Sequence, residues 1–182
     1  MISRYYNTVV LVRIGSVFGP FYTAGRNPIL MMIKNAVNGV STILSPSEAT
    51  FYDYIYVKDC ARAVGLLHLK HPLKYRIYNI GGGEKAVGIQ EVAQAVRKSI
   101  PKAEIEIEPR ELQTKGLWMD ISRIRAEIGY EPEFTLESGV EAFIKFSRRI
   151  PRPVDGDECG AGVRGMQSPS SSFLRCPALW AG

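Results

Sequence analysis

Asn7-Thr8-Val9-Val10-Leu11-Val12-Arg13-Ile14-Gly15-Ser16-Val17-Phe18-Gly19-Pro20 is the stretch on which the fold turns. It passes from a polar start through a block of aliphatic residues into a Gly-Pro turn. Residues 9–12 are apolar without alternation, the pattern of a strand covered on both faces, and such strands belong mostly to parallel sheets flanked by helices. Arg13 and the loop after it then lie at the strand's carboxyl end, where open α/β sheets place their ligands.

Working outward, residues 2–7 read as the last turn of a helix, most of which would precede Met1. On the other side, residues 18–26 read as a turn-rich loop. Asn27-Pro28 opens a helix, since Asn caps and Pro suits the first helical position. That helix runs over residues 29–37 and closes at Asn38-Gly39. Residues 41–44 and 52–57 are short strand candidates rich in β-formers. Residues 59–71 read as a helix with Cys60, Ala63, Val64 and Leu67 on one side, ended by Pro72. Residues 76–80 form a second apolar strand running into Gly81-Gly82-Gly83. Residues 89–100 are a helix burying Val92, Ala93, Val96 and Ile100, stopped by Pro101. Residues 103–108 alternate as a half-exposed strand. Asp120 caps a short helix through Ile128, ended by Gly129. Thr135 caps a last helix that turns Leu136, Val140, Phe143 and Ile144 inward.

The alternation of strands and helices gives an α/β class. The first strand and the 76–80 strand are the two that can pair in parallel. Two strands make a poor sheet, so the sheet is expected to continue in chain beyond this sequence. From Pro151 the pattern is lost to Pro, Gly and Ser without period, which sets a boundary near 150 and makes 151–182 a disordered or aberrant tail.

Composition excludes little and points to a globular protein. The chain has 182 residues, with 46% hydrophobic and 23% charged, enough for one domain with a real core. Its net charge of +5 comes without a basic block interleaved with aromatics, so no nucleic-acid partner is expected. No apolar run approaches a membrane span, and the first residues lack the apolar core of a signal peptide. Cys60, Cys159 and Cys176 show no metal-ligand spacing. They read as reduced thiols in a cytoplasmic setting, with a bridge between the two tail cysteines left open.

Several segments together resemble the NAD-dependent epimerase/dehydratase family, the extended short-chain dehydrogenases. Residues 11–20 resemble its arginine-to-Gly-Pro segment. Tyr52-Asp53-Tyr54-Ile55-Tyr56-Val57-Lys58-Asp59-Cys60-Ala61-Arg62-Ala63 resembles its later strand-to-helix signature. Tyr78-Asn79-Ile80-Gly81-Gly82-Gly83 resembles its next strand and glycine turn. Asp120-Ile121-Ser122-Arg123, Glu127-Ile128-Gly129-Tyr130-Glu131-Pro132 and Thr135-Leu136-Glu137-Ser138-Gly139-Val140 resemble its carboxyl-terminal end. The resemblance covers residues 8–145. It implies the C-terminal portion of an extended short-chain dehydrogenase: the last strands of a Rossmann-type parallel sheet plus the small substrate-binding α/β subdomain, over residues 1–150.

It also marks departures. The family binds NAD through a glycine-rich strand-turn-helix near its start. No such G-x-x-G-x-x-G stands here, and Gly81-Gly82-Gly83 matches the family's late turn. The family's acid/base Tyr and its Lys lie four apart on one helix. Tyr54-x-x-x-Lys58 has that spacing but crosses a strand-to-helix junction, so no catalytic residue is assigned. The resemblance places Ser16 and Val17 against the nicotinamide, Ser16 standing for a common Asn; an ordinary turn role is the alternative. On the substrate side it points to Asn27, Tyr52 and Arg110. The Asn27 amide either meets a substrate phosphate or caps its helix. Arg110 either binds the diphosphate, which a guanidinium fits in a bidentate way, or is solvated surface. Tyr52 replaces a phosphate-binding Arg common in nucleotide-sugar epimerases. His68 and His71 have helical spacing but no third ligand in sequence, so no metal is expected. Asp59 is expected to cap or charge the start of its helix.

The function implied is the substrate-binding portion of an NAD(P)-dependent sugar-nucleotide epimerase or dehydratase, inactive alone. NAD or NADP serves the full-length parent, and none is expected on this chain by itself. The second reading is a non-catalytic small-molecule-binding or protein-interaction module. Its expected partners are a nucleotide sugar or related alcohol or ketone, and a second chain paired through an open sheet edge.

Overall fold

The computed structural model describes residues 9–21, 27–44, 51–83, 85–108 and 116–149. The chain divides into two units, Met1–Ile150 and Pro151–Gly182, and the described residues belong to the first. The readings of residues 2–7, of Arg110 and of the 151–182 tail lie outside them.

The elements in order are β1 (Leu11–Ile14), β2 (Ser16–Phe18), α1 (Pro28–Asn38), β3 (Thr42–Leu44), β4 (Phe51–Tyr52), β5 (Tyr54–Tyr56), α2 (Val57–Leu69), β6 (Ile77–Ile80), β7 (Val87–Gly88), α3 (Ile89–Ser99), β8 (Ile105–Ile107), α4 (Ser122–Ile128) and α5 (Leu136–Arg149). The α/β class stands. The strands pair two by two: β1 with β6, β2 with β5 and β3 with β8 in parallel, and β4 with β7 antiparallel. The expected pairing of the first strand with the 76–80 strand is present, with Leu11 opposite Ile77 and Ile14 opposite Ile80.

Local chemistry explains the helix ends. Asn27 Oδ1 accepts from Ile29 N at 3.1 Å, with Pro28 in the first turn, and Gly39 closes α1 at φ 69°. That left-handed position strains any residue with a Cβ. Asp120 Oδ1 accepts from Ser122 N at 2.8 Å ahead of α4, and Thr135 Oγ1 accepts from Ser138 N at 3.2 Å ahead of α5.

Two apolar clusters flank β5. Tyr54 and Tyr56 face one cluster with Phe18 and the buried sides of α1, α3 and α5. Ile55 faces the other with Ala63 and Leu67 of α2, Tyr78 and Ile80 of β6, Ile124 of α4 and Tyr130. The alternation of side chains along a strand thus hands each core its share of one short segment.

Some expectations change. The first strand is not covered on both faces: Val9 and Leu11 are more than half exposed, because β6 is the partner that flanks β1 in this chain. Residues 16–18 are not loop but β2, held by parallel pairing to β5. The helix read from Asp59 begins at Val57 and ends at Leu69; Ala63 and Leu67 are buried as expected, whereas Val64, at the edge of that face, is exposed.

Candidate functional site

The site is assembled where β1 and β6 end. Both strands run parallel, so Ile14 and Ile80 leave the sheet at the same edge. Gly15 N donates to Ile80 O at 2.9 Å, and Ser16 N donates to Asp53 O at 2.7 Å. The chain leaving β1 is therefore tied at once to the glycine turn and to the residue between β4 and β5.

Asp53 is the node of this edge. It is buried, and its carboxylate accepts from Gly82 N at 2.9 Å through Oδ1 and from Met119 N at 3.0 Å through Oδ2. Charge-assisted bonds from backbone N–H groups are what a buried carboxylate needs. A Cβ on Gly82 would overlap the Tyr54 carbonyl, so glycine is required there by close approach. The sequence carried this signal in Asp53 and the glycine run, but their partnership spans distant segments and no local rule reports it.

The residues singled out from the sequence are distributed as follows. Ser16 and Val17 form the start of β2, half-buried, opposite Tyr54 and Ile55. Tyr52 lies in β4, its ring 5.5 Å from that of Tyr54. Ser16 is thus bonded to Asp53 and faces Tyr54, and Tyr52 joins this seam through the Tyr54 ring. Asn27 heads α1 and its side-chain oxygen is engaged as the cap. Among the described residues no hydrogen bond or ring contact joins it to that seam.

Tyr54 and Lys58 are separated as their sequence context requires. Tyr54 is a buried strand residue, and burial, followed by the neighbouring Tyr52, pushes its hydroxyl pKa up. An acid/base tyrosine needs the opposite shift. Lys58 sits in α2 with its ammonium 5.9 Å from the Phe134 ring. Asp59 does not cap α2, whose N-cap is Tyr56, but it is the acidic residue of the first turn and charges the helix start as expected. It is buried and accepts from Glu133 N at 3.0 Å and Phe134 N at 2.9 Å, with Arg62 at 3.3 Å. It therefore fixes the approach to α5. His68 and His71 gather no further ligand: among the described residues no group of His, Cys, Asp and Glu could hold a metal ion.

The glycine run does not fit a dinucleotide. A phosphate cradle needs free N–H groups and open space above the glycines, whereas Gly82 N is engaged by Asp53 and its Cα faces Tyr54. No helix among the described residues is long and apolar enough to cross a membrane.

Comparison with known proteins agrees with this architecture. Residues 2–81 match the model of the NAD dependent epimerase/dehydratase family. UDP-glucuronate 4-epimerase of Thermodesulfobacterium geofontis is 28% identical over 144 residues, covering 77% of this chain and 43% of the relative. Among solved structures, UDP-glucose 4-epimerase of Thermus thermophilus in complex with NAD aligns at a TM-score of 0.63 and 25% identity, over 77% of this chain and 46% of that one. UDP-glucose 4-epimerase of Thermotoga maritima with UDP-glucose shares the fold at a TM-score of 0.65 and 21% identity, with the same coverage of 77% and 46%. The chain spans less than half the length of each.

Proposed function

We propose that this chain, whose residues 2–81 match the NAD dependent epimerase/dehydratase family, is the substrate-side portion of an NAD(P)-dependent enzyme acting on a nucleotide sugar. In this reading residues 1–150 form the carboxyl-terminal part of the enzyme and its small substrate subdomain. The observation that carries it is the seam at the carboxyl ends of β1 and β6, where Ser16 is bonded to Asp53 and faces Tyr54, whose ring Tyr52 packs beside. That is the edge at which open α/β sheets take ligands.

Ser16 and Val17 offer one wall for a nicotinamide, and Ser16 can donate through its hydroxyl. Asn27, with its oxygen engaged as a cap, retains its amide hydrogens for a phosphate. Tyr52 supplies a hydroxyl and an aromatic face but no charge, which moves the burden of anion binding to Arg110. Asp53 positions the seam. A Tyr/Lys pair and a dinucleotide cradle are lacking in the described residues, so no hydride or proton step is assigned to this chain and it is inactive alone.

The test is titration of the full chain with UDP-glucose and with UDP-glucuronic acid, with and without NAD, by calorimetry and by product analysis. Saturable binding weakened by Asn27→Ala, without turnover, is the expected result. Turnover of either sugar, or no binding of either, overturns it.

A second reading, a non-catalytic interaction module, is favoured by one observation: β1 carries exposed Val9 and Leu11, and among the described residues its second edge has no strand partner. Strand edges of this kind recruit further strands. A stable monomer in sedimentation at all concentrations removes it.

A further inference from the structure

The opposite end of the β1–β6 pair carries chemistry that the reading above leaves unused. Between α2 and β6 the chain presents Lys70, Lys74 and Tyr75, and α4 brings Ser122, Arg123 and Glu127 against them. These residues line a cleft of about 640 Å³. It lies at the amino ends of the strands, a strand's length of roughly 10–13 Å from the Ser16 seam.

Its cations are held in place largely by aromatic and backbone contacts. The Arg123 guanidinium lies 4.7 Å from the Tyr75 ring centroid, and the Lys74 ammonium 5.3 Å. Contact with an aromatic face positions a cation and leaves its charge available. Arg123 is anchored further by donation from Nη1 to Ile77 O at 2.8 Å. One carboxylate shares the lining: Glu127 accepts from the Lys74 backbone N–H and from the Tyr78 hydroxyl, so three cations face one anion and the lining keeps a positive excess. Asp120, at the cleft's edge, accepts from Ser122 N. Among the described residues none of Lys70, Lys74 and Arg123 has a carboxylate within ion-pair distance.

We propose that this cleft binds a compact phosphate-bearing anion of the diphosphate class. Three cations, none in an ion pair among the described residues, outnumber the single carboxylate of the lining, and a concave basic surface concentrates anions. Arg123 supplies a planar fork suited to phosphate oxygens, Lys70 and Lys74 supply mobile point charges, and the Ser122 hydroxyl is a further donor. The site is independent of the substrate seam, since it stands at the other end of the strands.

The probe is inorganic pyrophosphate titrated into the full chain at low salt, followed by calorimetry and by backbone-amide NMR. Saturable binding is expected, with shifts centred on residues 70–75 and 122–127. Lys70→Glu with Lys74→Glu weakens it by about tenfold or more, and rising salt weakens it further. Lys98→Glu with Lys102→Glu, which changes the net charge equally at exposed positions elsewhere, weakens it less than about threefold. Equal losses in the two double variants, shifts centred on Ser16 and Gly82, or no saturable binding overturn the proposal. So does binding to phosphoinositide vesicles without binding of free pyrophosphate, which assigns the cleft to a lipid headgroup.

Discussion

β5 and β1 are both short apolar strands, yet one is the most enclosed part of the molecule and the other among the most open. Tyr54, Ile55 and Tyr56 are all buried. In β1, Leu11 is 54% and Ile14 39% exposed. The difference does not lie in the residues, since β1 is the more aliphatic. It lies in what flanks them. β5 has α5 and the Phe18 cluster on one face, α2 and Tyr130 on the other, and β2 alongside. β1 has β6 as its one strand neighbour among the described residues, and only Val12, with Val10 just before the strand, packs against the second cluster. Apolarity states a demand for cover, and the rest of the chain decides whether the demand is met.

The sharpest way to break this contrast is a matched pair of truncations. Ile55→Ala removes three heavy atoms from a side chain with no exposure and should cost about 2–5 kcal/mol. Leu11→Ala should cost less than about 0.5 kcal/mol, as a surface change. Urea denaturation of the two variants measures both. If Leu11→Ala costs as much as Ile55→Ala, β1 is covered in solution by a second chain, and the loss will depend on protein concentration.

A smaller effect is expected at the joint between the two strands. Asp53 links the chain leaving β1 to the start of β5, and its carboxylate accepts from Gly82 N in the glycine turn and from Met119 N. In Asp53→Asn the charge is lost and one oxygen becomes a donor that faces a donor. The cost should be about 2 kcal/mol, in the range for hydrogen bonds to charged groups. Amide exchange should show it first at Gly82 and Met119. A variant as stable as the parent, with Gly82 and Met119 still protected, would mean that the seam is held by strand pairing alone.

How far the sequence could be read follows the same division. Helix ends were legible because Asn27, Gly39, Asp120 and Thr135 act on their immediate neighbours. The β1–β6 pairing was legible because both segments are apolar runs of similar length. The exposure of β1 was not, because it depends on which other elements exist. Nor were the partners of Asp53 and Asp59: each binds backbone groups far away in the chain, and a carboxylate near a helix start reads as a cap by default. Of the site, Ser16 and Tyr52 were singled out by resemblance; Ser16 lies opposite Tyr54 in the β2–β5 pair and Tyr52 stacks near the Tyr54 ring, while Asp53, which ties the two strands, passed unnoticed for want of any periodic signal.

The weakest expected effect tests whether burial, not bonding pattern, separates such carboxylates. Glu91 repeats the Asp53 arrangement at the surface: Oε2 accepts from Gly88 N at 2.9 Å, and Oε1 pairs with Lys85 at 2.7 Å. The Lys85 bond foremost, with the Gly88 N–H, holds the Glu91 carboxyl below the usual range. A carboxylate depressed by folding contributes stability above its unfolded value near about 4.3 and loses it as pH falls through the folded value. Glu91→Gln should therefore be slightly less stable than the parent near neutral pH, and the difference should close below about pH 4. Because the side chain is 39% exposed, screening keeps the difference within about 1 kcal/mol, and added salt should shrink it. Thermal melts across pH at two salt concentrations measure this. A loss as large as that of Asp53→Asn, insensitive to salt, would show that Glu91 is enclosed in solution and that the two carboxylates are alike.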